Sequence, residues 1–118
     1  MNSFRALATF THIAPENREK FQEVAQKMLI EVQKQDSIIR YDMFFTKDQS
    51  KCVVLEEYSS PEALIEHVTR NAALLDQLTK LGGKIEGNIF SIGQEGDALE
   101  EIKNNWDSHF HSFFAGKE

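Results

Sequence analysis

What most constrains this chain is the order in which its hydrophobic period switches between two and about 3.6. From Phe4 to Ile13 the chain alternates. Phe4, Ala6, Ala8, Phe10 and His12 fall on one face of an extended segment, and Leu7, Thr9, Thr11 and Ile13 fall on the other. From Phe21 the spacing becomes helical: Phe21, Val24, Ala25, Met28, Leu29 and Val32 form one stripe, with Lys20, Glu23, Lys27, Glu31 and Lys34 outside it. Pro15 suits the first turn of that helix, and Glu16 and Glu19 put negative charge where the helix dipole favours it.

The strand period then returns twice. Ile38 to Thr46 is rich in β-branched and aromatic residues, and Cys52 to Tyr58 repeats that character after a polar stretch from Lys47 to Lys51, so the two read as a hairpin. Ser59-Ser60-Pro61-Glu62 is a helix start, with a hydroxyl to accept backbone N–H groups and Pro in the first turn. The helical region runs to about Leu81 and is interrupted near Thr69 to Asn71, because Ala63, Leu64 and Val68 are out of phase with Leu74, Leu75, Leu78 and Leu81. Gly82-Gly83 supplies the positive φ that ends a helix, and Ile85 to Ile92 makes a last strand.

The order β-α-β-β-α-β is that of a ferredoxin-like α+β domain: a four-stranded antiparallel sheet with helices on one face only. The uncovered face also carries Phe, Ile, Leu or Met, so a partner subunit is expected to cover it, giving a homodimer. One domain is expected over residues 1–96. Residues 97–118 are expected to form a C-terminal helical extension, since Leu99, Ile102, Trp106, Phe110 and Phe113 lie at helical spacing, with Trp106 and Phe110 buried.

Charge and cysteine content narrow the classes. A formal net charge of -6, with 13 Lys and Arg scattered along 118 residues, argues against nucleic acid as a partner. The first residues lead straight into the alternating segment, without the apolar run of a signal peptide or a membrane helix, so a cytoplasmic protein with no membrane partner is expected. The lone Cys52 has no second thiol for a disulfide or a zinc site. His12, His67, His109 and His111 are spread over three elements, and no glycine-rich phosphate loop follows a strand, so no metal or nucleotide cofactor is expected.

The stretch from Val53 to His67, Val-Val-Leu-Glu-Glu-Tyr-Ser-Ser-Pro-Glu-Ala-Leu-Ile-Glu-His, resembles the signature of the antibiotic biosynthesis monooxygenase family. There a strand ending in Glu-x-Trp runs into a helix carrying Glu-Ala-Leu and, three residues on, His. Two positions depart from it. Tyr58 stands where the family usually has Trp, and the stretch from Ser37 to Tyr41 lacks the Gly that commonly precedes the second strand. The resemblance implies a dimeric α+β barrel. Its members and relatives include quinol and polyketide oxygenases, signal-degrading and haem-degrading enzymes. The haem-degrading relatives need an Asn on the first strand and a Trp in the pocket, whereas this strand has no Asn after Ser3 and the sole Trp is Trp106.

Several residues carry possible chemistry. His67 follows Ala63 by four and Leu64 by three, so it shares their inward face; it reads either as a core histidine bonded to a strand or as a catalytic base. Glu56 and Tyr58 project from one face of their strand and sit where one of them can orient His67; alternatively Glu56 is a solvated charge. Tyr41 shares a face with Met43 and is either core or a hydroxyl for a substrate oxygen. Phe10, Met43 and Leu64 are the expected wall of a small apolar or aromatic substrate site.

The reading this supports is a cofactor-independent monooxygenase acting on a quinol-type substrate, with His67 as base and Tyr41 or Tyr58 as oxyanion partner. A non-catalytic dimeric ligand-binding module, or a proton-transfer enzyme on the same barrel, would need the same pocket.

Overall fold

The structure is a computed structural model that describes residues 3–117. Strand β1 (Phe4–Phe10) leads through a short 3-10 turn at Pro15–Asn17 into helix α1 (Arg18–Val32). Strands β2 (Ile38–Phe45) and β3 (Cys52–Tyr58) form the hairpin, followed by α2 (Pro61–Arg70), α3 (Ala72–Gly82) and β4 (Ile85–Ser91). The sheet order β2-β3-β1-β4 is the ferredoxin-like one, with β1 antiparallel to both β3 and β4.

The alternation of β1 resolves as the sequence implies. Phe4, Ala6 and Phe10 are buried toward the helices, and register continues their row across the sheet: Ala6 lies between Glu56 and Ile89, and Tyr41 pairs with Glu56. α1 buries Phe21, Val24, Ala25, Met28 and Val32 of the stripe read from the sequence, and Leu29 is half-buried. The second helical region does break, at Asn71, into α2 and α3.

The two glycines after α3 act differently. Gly83 takes φ 83° and ends the helix, while Gly82 remains helical and is needed for space: a Cβ there would lie 2.6 Å from the Phe21 ring. The positive φ expected of the Gly82-Gly83 pair falls at Gly83.

The C-terminal segment departs from the expected helix. α4 (Asp97–Asn105) stops at Trp106, whose φ -89° and ψ 143° are extended, and β5 (His109–Ser112) then adds to the sheet parallel to β4. The sheet therefore has five strands and is mixed, not four-stranded and wholly antiparallel. Asp107 and Ser108 favour a turn over another helical turn, and the free edge of β4 offers backbone partners that a longer helix would leave unpaired. Leu99 and Ile102 are buried as the stripe requires, but Trp106 and Phe110 are only half-buried and Phe113 is exposed.

The sheet face away from the helices keeps apolar side chains in solvent: Phe44, Leu55 and Phe90 are 52%, 40% and 36% exposed. Among the described residues no helix is long and apolar enough to cross a membrane.

Candidate active site

The Ser-Ser-Pro-Glu start places the site. Ser60 caps α2 by accepting from the Ala63 N–H at 3.3 Å, and Pro61 occupies the first turn, so Ala63, Leu64 and His67 fall on the face turned to the sheet. All three are buried, His67 to 2% exposure. Across from them, β3 turns Glu56 and Tyr58 inward, and β2 contributes Tyr41.

These side chains form a compact polar group. The Tyr58 hydroxyl donates to Glu56 Oε1 at 2.5 Å. The His67 ring meets Tyr41 edge-on, with centroids 5.0 Å apart, and lies 6.0 Å from Tyr58. Beside them is an apolar cavity of ≈ 190 Å³, to whose wall Phe10, Tyr41, Glu56, Leu64, His67 and Trp106 contribute. Two larger surface depressions are lined in part by the exposed Arg40 side chain.

Burial sets the protonation states. Loss of water pushes the Glu56 carboxyl up to about 7, against the smaller opposing effect of the Tyr58 hydrogen bond. Burial pushes His67 down to about 4, so its ring is neutral at physiological pH. Burial, then the neighbouring Glu56 charge, raises both Tyr41 and Tyr58 well above the ordinary tyrosine value, so both keep their hydroxyl protons.

Asn71 decides which His67 nitrogen carries the proton. Its side-chain Nδ2 donates to the His67 carbonyl at 3.0 Å, which fixes that atom as the amide nitrogen, and the same Nδ2 lies 3.1 Å from His67 Nδ1. Nδ1 therefore accepts, and the neutral ring carries its hydrogen on Nε2. A ring held this way is a hydrogen-bond donor through Nε2, and the group with a proton affinity matched to neutral pH is Glu56.

The structure thus brings His67, Glu56, Tyr41 and Tyr58 together, with Phe10 and Leu64 on the cavity wall. Tyr58 stands behind Glu56 and does not line the cavity. Met43 packs with the core under α1, away from the wall, because two residues along β2 carry it toward the Phe21 end of the sheet. Glu56 is a buried carboxyl and not a solvated one. Asn71 and Ser108 were not read from the sequence, although the His67–Asn71 spacing of one helical turn is a signal for the first. Among the described residues no group of three or more His, Cys, Asp or Glu is arranged to hold a metal ion.

A ferredoxin-like sheet with His67 and Glu56 at an apolar cavity puts the chain in the class of small α+β proteins of that fold. Within that class, the family model for antibiotic biosynthesis monooxygenase matches residues 3–74, and the chain belongs to that family. MupZ from Pseudomonas fluorescens has a similar fold, with a TM-score of 0.83 at 18% identity over 100% of this chain and 91% of that one. A conserved protein from Methanosarcina mazei matches at 0.70 and 21% identity over 77% of this chain and 93% of its own. A candidate antibiotic biosynthesis monooxygenase from Nitrosomonas europaea matches at 0.67 and 14% over 75% and 88%. No curated protein sequence matches the chain.

Proposed function

We propose that the chain is a cofactor-independent oxygenase of a small hydroquinone-type substrate, with Glu56 as proton acceptor. The observation that carries this reading is the meeting of a carboxyl near pH 7 and a fixed Nε2–H donor at one apolar cavity. Glu56 takes the phenolic proton, while His67 Nε2–H and the Tyr41 hydroxyl stabilise the aryl oxide that results. The anion passes an electron to O2, the radical pair joins at a ring carbon, and loss of water leaves a hydroxyquinone. One oxygen atom ends in the product and the other in water, so the substrate supplies every electron. Apolar walls favour this by keeping the anion from being solvated and quenched.

The test is oxygen uptake with a panel of reduced quinones. Glu56→Gln is expected to lower turnover by ~100 to 10,000-fold, the usual loss with a general base. His67→Ala, which removes only a donor, is expected to cost about 100-fold or more by analogy with oxyanion donors. If no enzyme-dependent uptake occurs, but the protein exchanges the α-hydrogens of a cyclic ketone with deuterated solvent, the proton-transfer reading replaces this one.

Two copies are inferred to pair through the open sheet face. Phe44, Leu55 and Phe90 supply its apolar centre, and Arg40 and Glu57, 3.8 Å apart, lie on the same face. Light scattering should give twice the 13.5 kDa chain mass at micromolar concentration, and Leu55→Asp should return it to one. A monomeric parent chain would remove the dimer.

A further inference from the structure

Part of the cavity wall lies outside the residues that match the family model. That match ends at residue 74, whereas Trp106 and Ser108 reach the cavity wall from the turn between α4 and β5. The turn is firmly held. β5 pairs with β4 from His109 opposite Asn88 to Ser112 opposite Ser91. Ser108 sits so close to Gly87 that an added Cβ there would come within 3.0 Å of the Ser108 Oγ. The Asp107–Lys84 ion pair at 2.9 Å is solvent-exposed and adds little. Trp106 itself packs, half-buried, on the cluster that contains Leu64, Leu99 and Ile102. A large rigid ring is thereby held at the wall of the cavity that Tyr41, Glu56 and His67 also line.

We propose that Trp106 is the specificity-determining residue of this cavity, capping the space beside Tyr41, Glu56 and His67 so that it admits one six-membered ring and rejects a fused pair. The inference rests on the reading that the cavity is the substrate site. Its size argument is direct: a cavity of about 150 Å³ holds a benzene ring. The ≈ 190 Å³ here is little more than that, the space of one ring with one or two substituents. The indole is the largest side chain on the wall, and substituting it leaves Tyr41, Glu56 and His67 in place.

Cyclohexanol and decahydro-2-naphthol test this without turnover, since neither has a phenolic proton to lose. Trp106 is the sole tryptophan, so its emission reports what reaches that wall. Cyclohexanol should change the emission saturably, and decahydro-2-naphthol should bind at least tenfold more weakly by calorimetry. Trp106→Ala should bring the two alcohols within about twofold of each other, and Trp106→Phe should keep part of the discrimination. Equal binding of both by the parent chain overturns the proposal, as does unchanged discrimination in Trp106→Ala. If Trp106→Ala does not fold, two readouts still decide: cyclohexanol bound with no change in emission overturns it, and so does full discrimination in Trp106→Phe. Absent oxygen uptake with Trp106-dependent size selection removes the oxygenase reading alone.

Discussion

The two halves of the layer between sheet and helices are filled in opposite ways. Under α1 and α3, the side chains of Phe21, Val24, Met28, Val54 and Leu78 are fully buried. Phe21 meets Phe10 edge-on at 5.2 Å and Phe45 at 6.0 Å, and Gly82 leaves no room even for a methyl group. Under α2 and α4, by contrast, the same layer buries Glu56, His67 and Asn71 and keeps a cavity. The first half is close-packed and apolar, so burial there translates into stability. In the second, burial favours the neutral forms of two ionisable groups, which costs stability and moves their proton affinities away from the ordinary values. The break at Asn71 separates the halves: it ends α2 and supplies the amide that orients His67.

The largest effect that tests this contrast is on stability. Phe21→Ala should destabilise the chain by about 3–5 kcal/mol, the range for emptying a packed aromatic site, while ligand binding in the cavity stays within about twofold per folded molecule. Leu64→Ala, beside space that is already empty, should fall near the low end of the ~2–5 kcal/mol range for such truncations. Denaturant unfolding measures both. Equal losses at the two positions would break the comparison.

A smaller effect separates the two buried groups by pH. Glu56 keeps its proton in the folded chain up to about 7, but ionises near 4.5 when unfolded; its contribution to stability is lost as pH rises through that window. His67 stays neutral when folded down to about 4 but protonates below 6.5 when unfolded, so its contribution is lost as pH falls from 6.5 to 4. Between pH 4.5 and 6.5 the two slopes oppose each other. Relative to the parent chain, Glu56→Gln should therefore gain about 3 kcal/mol as pH rises from 4.5 to 7, and His67→Gln should gain a similar amount as pH falls from 6.5 to 4. Unfolding free energies across pH 4–8 read both, and parallel curves for parent and variants would mean the groups are solvated.

Much of this was written locally in the chain. The alternation of Phe4 to Phe10, the stripe from Phe21 to Val32, the Ser60-Pro61 helix start and the phase break before Leu74 each act over a few residues, and each produced its element. Sequence also put Ala63, Leu64 and His67 on one face of α2, since helical spacing alone fixes that. What lay beyond it required contacts between distant residues. Glu56 is buried because β3 register sets it between Tyr41 and Ala6, and nothing near Glu56 in the chain announces that. The apolar stripe past Leu99 was compatible with more helix. The edge of β4 decided instead that residues 109–112 become a strand, and that choice carried Trp106 to the cavity. Period and capping are properties of neighbours along the chain, whereas burial, proton affinity and the shape of a cavity are set by neighbours in space, which only the folded sheet brings together.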